Sequence, residues 1–195
     1  DLDKDRERIP QAVSDSTDLR DASGRLDTSP PPHPPSEVEW KAIQDIGQRC
    51  LDVANSLTSS EEAIRTIASE YLPSLSKLVG PLGAAKLCVL AGGRERLARM
   101  PSGSIQVRGA HAAMAAHRRG APPPKPGSVI FSLPQVSRSP RWVRGKIARF
   151  LAGKASIASR LDHFDGEPWT EKEIAEIHQL SGGIKQKFPS PPKRI

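Results

Sequence analysis

Five histidines, two cysteines and a thin scatter of carboxylates are the residues of this 195-residue chain that could do metal, redox or acid–base chemistry. His33 sits among prolines, His111 and His117 are six apart and fall on different faces of a helix, and His163 and His178 stand alone. No pair has i, i+4 spacing, so the zinc-protease pattern is absent. Cys50 and Cys88 are far apart and belong to no C-x-x-C, which argues against a thiolate zinc site or a disulfide framework and fits a reducing intracellular compartment. "GPLGAAKL", from Gly80, has glycines and a lysine but not the spacing of a phosphate loop. Between residues 86 and 160 the single acid is Glu95, which leaves little for general acid–base or metal-ion catalysis. Neither a catalytic residue nor a metal or cofactor is expected, and the chain does not read as an enzyme.

Positive charge is the chemistry that remains. The net charge of +7 is the sum of unlike parts. Residues 1–28 hold eight acids and five bases, whereas 86–160 hold fifteen Lys or Arg against Glu95, so the rest of the chain is net acidic. A solvated, salt-bridged surface mixes its signs; this one separates them, and a polyanion is the matching partner. The densest stretch is "PRWVRGKIARFLAGKASIASRLDHF", 140–164, with six bases before its first acid, Asp162. Helical spacing places Trp142 or Val143, Ile147, Phe150, Leu151, Ala155, Ile157 or Ala158, and Leu161 on one side. Arg141, Arg144, Lys146, Arg149, Lys154 and Arg160 fall mainly on the others.

The elements that must position this helix read as all-α, because 36% apolar content with only 4% aromatics favours a core of Leu, Ile, Val and Ala. Residues 1–28 are expected to be weakly helical or frayed, with Pro10 interrupting any helix, and 29–35 to be an extended proline spacer. Ile43, Ile46, Cys50, Val53 and Leu57 predict a helix over about 37–57, its stripe either a core face or a coiled-coil seam. Ser59 with Glu62 reads as a capping box starting a new helix with Ile64, Ile67, Tyr71 and Leu72 inward, ended or kinked at Pro73. One apolar helix then runs to Gly92-Gly93, followed by a turn at 94–100 and a helix from Ser104 to Arg119. A rigid loop at 121–127 and an extended passage at 128–136 lead to the basic helix, which ends near Asp165-Gly166. Thr170 with Glu173 opens a last short helix through a capping box. No apolar run reaches the roughly 20 residues of a membrane span, so a soluble protein is expected, with no membrane partner.

Several spaced motifs occur in family order: Leu75, Leu78, Val79 and Gly80; Ala91 to Gly93; Leu97, Ala98 and Pro101; Ser104, Ile105, Gln106, Gly109 and Ala110; and Gly145, Lys146, Ile147 and Arg149. Over about 36–195 the chain resembles the Nop domain of archaeal box C/D ribonucleoprotein scaffolds, shared with eukaryotic nucleolar and splicing-factor relatives. The resemblance implies an all-helical, non-catalytic RNA-binding scaffold. Its ligand would be a kink-turn or box C/D guide RNA already held by a small ribosomal-protein-like partner, in a particle that guides 2'-O-methylation. It divides the chain into an acidic segment, spacer and coiled-coil remnant over 1–58, the RNA- and protein-binding domain over 59–188, and a basic tail over 189–195. The family's fibrillarin-binding N-terminal domain has no counterpart among these residues, so fibrillarin is expected only indirectly. Self-association through the remnant helix stays open. The expected location is the cytoplasm of an archaeal-type cell, or the nucleolus of a eukaryote.

On this resemblance Lys146 and Arg149 are the expected phosphate contacts, supported by Arg138, Arg141 and Arg144, with Arg108, Arg118, Arg119 and Lys125 as a flanking rim. Trp142 either joins the core or stacks on a base. Ile105 and Gln106 meet the partner protein or close the fold; Gly109, Ala110 and His111 are the other partner contacts. His111 and Ala112 stand where many relatives have Glu and Lys, and Ser132 and Leu133 occupy a passage that often carries a His. A protein-interaction module for an acidic partner, or a general nucleic-acid binder, is the alternative.

Overall fold

The computed structural model describes residues 2–30, 32–124 and 126–191, with the side chains of residues 2–6 excepted. Lys125 and the last four residues of the basic tail lie outside the described residues. Twelve helices and no strand occur among the described residues, as the all-α expectation required. The chain divides into two compact units, Asp1–Glu62 and Ala63–Ile195.

In the first unit, α1 (Leu2–Ser14) runs through Pro10, and α2 (Leu19–Arg25) follows, capped by Asp18 accepting from the amides of Arg20 and Asp21. The expected interruption at Pro10 does not occur, and tertiary contact is the reason. The Pro10 carbonyl and the Val13 side chain lie so close to Gly47 that a Cβ there would sit 3.2 and 3.3 Å from them. Ser14 donates to Gln48 at 2.9 Å, and the Gln44 amide donates to the Ser16 carbonyl at 2.8 Å. These contacts hold the segment on α3 (Glu37–Tyr71), which is one continuous helix.

No helix starts at Ser59. The hydroxyls of Ser56, Thr58 and Ser60 donate to carbonyls four residues back at 2.7–3.1 Å, so they satisfy themselves inside the helix instead of capping a new one. Ile64, Ile67 and Tyr71 are exposed, contrary to expectation, while Ala68 and Leu72 turn inward. Tyr71 stays at the surface under the Arg94 guanidinium, 4.6 Å from its ring centre.

The second unit is built around α11 (Arg141–His163). Val143, Ile147, Leu151, Ala155 and Ala158 are fully or almost fully buried, and Ala148 and Ala152 broaden the stripe while keeping it low enough for close neighbours. The expected single helix before Gly92 is two, α4 (Pro73–Val79) and α5 (Pro81–Ala91), bent by 114°. Gly80 supplies the positive φ of 80° for that bend, and Pro81 starts α5 where its missing N–H costs nothing. The expected turn at 94–100 is largely helix α6 (Arg94–Arg99).

The expected Ser104–Arg119 helix is divided into α7 (Ser102–Gln106) and α8 (His111–Arg118). Gly109, at φ 83°, lies against the Ser128 hydroxyl, and a side chain at Gly127 would collide with the Arg108 carbonyl. Two glycines thus let the 107–110 turn press on the start of α9 (Ser128–Ser132). That passage is helical rather than extended, as is α10 (Pro134–Ser137). A short apolar run does not by itself distinguish strand from helix; here Val129, Ile130, Leu133 and Val136 are buried at helical spacing. Last comes α12 (Glu171–Lys187), opened by the expected Thr170–Glu173 capping box and longer than expected.

Helices α4, α6, α7, α9, α10 and α12 all pack on α11. Asp162, 6% exposed, fixes one of these contacts: its carboxylate accepts from the amides of Ser74 and Leu75 at 2.9 and 3.0 Å and so caps α4 across the fold. The acid that ends the basic run is a structural device. Among the described residues, no single helix is long and apolar enough to cross a membrane.

Candidate nucleic-acid interface

With one stripe of α11 committed to the core, its bases are forced outward. Arg141, Lys146 and Arg149 are exposed, as is Arg138 just before the helix. Arg144 is half-buried and differently used: its Nε donates to the Ser139 carbonyl at 2.8 Å and an Nη to the Ser137 carbonyl at 2.9 Å, closing the end of α10. Arg160 likewise donates to the Ala98 carbonyl at 3.1 Å, tying α6 to α11. The row of arginines therefore divides into tethers and outward charges.

Lys146 and Arg149 line an open cleft of about 980 Å3 with Trp142, the exposed side of α7 and the loop Pro122–Pro124. Among the described residues no acid lines it. The Lys146 ammonium is 4.0 Å from the centre of the Phe188 ring, a cation–π contact that holds the charge at the cleft without neutralising it. The Trp142 indole N–H donates to the Phe188 carbonyl at 3.0 Å. Phe188, at the end of α12, thus holds both side chains; nothing in its sequence position announces that role.

The rim residues separate. Arg108 and Arg118 line a second, smaller cleft of about 230 Å3 with Gly109, Ala110 and His111. An Nη of Arg108 lies 3.0 Å from the Met100 sulfur, while its buried Nε meets no hydrogen-bond acceptor. Arg119 is exposed at the end of α8. Ile105 is fully buried, so of its two readings it closes the fold; Gln106, 9% exposed, is among the residues that line the larger cleft. The structure therefore brings Lys146, Arg149 and Gln106 to one cleft and Arg108, Arg118 and the 109–111 turn to another.

Among the described residues no three His, Cys, Asp or Glu side chains gather as metal ligands would. Cys50 and Cys88 are unpaired, and partial burial pushes the Cys88 thiol up, disfavouring the thiolate.

The sequence pattern of the Nop family, described as "snoRNA binding domain, fibrillarin", matches residues 16–181. A NOP5 family protein of Methanocaldococcus jannaschii is 42% identical over 129 residues, covering 66% of this chain and 31% of that protein. Nucleolar protein 56 of Homo sapiens is 34% identical over 135 residues, covering 68% of this chain and 22% of its own. A solved fibrillarin/Nop5p complex contains a chain of similar fold, with a TM-score of 0.58 and 27% identity, over 93% of this chain and 65% of that one. The chain spans less than a third of the length of these curated relatives.

Proposed function

The chain belongs to the Nop family, and from that premise we propose that it is a non-catalytic RNA-binding scaffold of a box C/D-type ribonucleoprotein. The observation that carries the reading is the division of α11: a fully buried stripe against an outward face bearing Arg141, Lys146 and Arg149, with no acid among the described residues that line the cleft of Lys146 and Arg149. Such a face neutralises phosphates on a shaped RNA; it positions the RNA rather than reading its bases. The ligand is a kink-turn RNA already carrying its ribosomal-protein-like partner. The RNA lies on the α11 side, and the partner lies at the smaller cleft around Gly109, Ala110 and His111. Arg138 supports the phosphate contacts, and Arg108, Arg118 and Arg119 form a flanking rim. The solved neighbour's title pairs Nop5p with fibrillarin, which supports placing fibrillarin in the same particle, reached indirectly, where it would be guided in 2'-O-methylation. Such a particle works in the cytoplasm of an archaeal-type cell or the nucleolus of a eukaryote.

A gel-shift titration at about 150 mM salt, where distant charges are screened beyond about 8 Å, tests this. Free kink-turn RNA, the same RNA loaded with its partner, and a plain duplex are compared. Binding confined to the loaded RNA is expected. Equal binding to all three would identify a general nucleic-acid binder, and no binding would leave the basic face to an acidic protein.

A further inference from the structure

We propose that the cleft edged by Lys146 and Arg149 receives one unpaired nucleotide of the bound RNA. The inference rests on the RNA-binding reading above and adds what the cleft itself is for. Phosphate neutralisation needs only a convex row of cations. Here two of the cations stand instead at the edge of a concavity of about 980 Å3, near the upper end of the size range of ligand clefts.

Its other walls are not those of an ion site. Trp142 is half-buried, and its one polar atom is engaged by the Phe188 carbonyl at 3.0 Å, so what it offers the cleft is ring carbon in a fixed orientation. The loop Pro122–Pro124 supplies a second apolar surface. A rigid aromatic, an apolar loop and two cations together match a base with its phosphates. A base inside a duplex is stacked and cannot enter; a looped-out or bulged one can. Gly103 also lines the cleft, and a Cβ there would meet nothing within 4 Å, so a larger side chain can be placed there without displacing a neighbour.

The test uses a partner-loaded kink-turn RNA whose stem is either fully paired or interrupted by a single bulged uridine, stepped along the stem one pair at a time. Affinities are measured for the unmodified chain, Trp142→Ala and Gly103→Leu. The leucine fills the cleft from an exposed helical position with no packing to disturb, so it guards against a Trp142 variant that merely folds poorly.

The unmodified chain is expected to prefer the stem bulged at one position. Each variant should weaken binding to that stem by about 5- to 150-fold, the worth of one base–aromatic stack, and weaken binding to the paired stem far less. Equal wild-type affinity for every bulged and paired stem, or variants that weaken both classes alike, would overturn the nucleotide site while leaving the scaffold reading in place. Failure to bind any loaded RNA would overturn both.

Discussion

Two helices carry the same apolar periodicity and meet opposite fates. On α11, Val143, Ile147, Leu151, Ala155 and Ala158 are at most 1% exposed; on α3, Ile46, Val53, Leu57 and Ile67 are between 55% and 68% exposed. Spacing of three and four residues specifies a face in both cases, but only what docks on that face makes it a core. Six helices pack on α11, aided by Ala148 and Ala152, which keep its surface low. The stripe of α3 remains at the surface of the single chain.

The largest expected effect tests this contrast directly. Leu151→Ala, which empties a fully buried site, should cost about 2–5 kcal/mol in chemical denaturation. Val53→Ala in dilute protein should change stability by less than about 0.5 kcal/mol. A loss at Val53 approaching that at Leu151, and growing with protein concentration, would show that the α3 stripe is covered by a second molecule and that the contrast belongs to the isolated chain alone.

A second substitution asks whether the docking contacts, rather than the stripe itself, make α11 the centre of its unit. Asp162→Ala removes the acceptor of two buried amides at the start of α4 and should cost about 2–3 kcal/mol. Urea denaturation measures it. A cost near zero would mean that water or another group replaces the carboxylate and that the cap does not fix α4 on α11.

The smallest effect concerns α12, another helix that covers α11. The Thr170 amide and hydroxyl, both donating to the Glu173 carboxylate, hold its pKa below the ordinary 4.5. A lowered folded-state pKa means that the cap's contribution is fully present above about 4.5 and is lost as pH falls through the depressed value. Glu173→Gln should therefore flatten the acid limb of the stability profile slightly below pH 4.5 and leave its neutral region nearly level. An unchanged acid limb would show that the exposed cap adds nothing that solvent does not.

How much of this was legible beforehand follows from the same contrast. The basic helix, its buried side and the Thr170–Glu173 cap could be read because each is encoded within a few consecutive turns of chain. The α7–α8 break at Gly109 was missed, although its glycine was visible, because the contact that requires it, with Ser128, lies in a distant segment; the bend at Gly80 was missed because a continuous apolar pattern does not register a single residue of positive φ. Pro10 misled for the same reason: its helix is held by α3. At the interface, the outward positions of Lys146 and Arg149 followed from spacing. That Arg144 is bound to the end of α10, and that Phe188 holds Lys146 and Trp142, depends on tertiary contacts.

The central claim is that the outward face of α11 is the surface that meets phosphate. It is tested most directly by the salt dependence of binding to partner-loaded kink-turn RNA, for the unmodified chain and for Lys146→Ala combined with Arg149→Ala. The account predicts weaker binding of the double variant and a log–log salt slope shallower by about two units, about one for each phosphate contact removed. An unchanged affinity with an unchanged slope would contradict it, because the RNA would then be held by charges elsewhere.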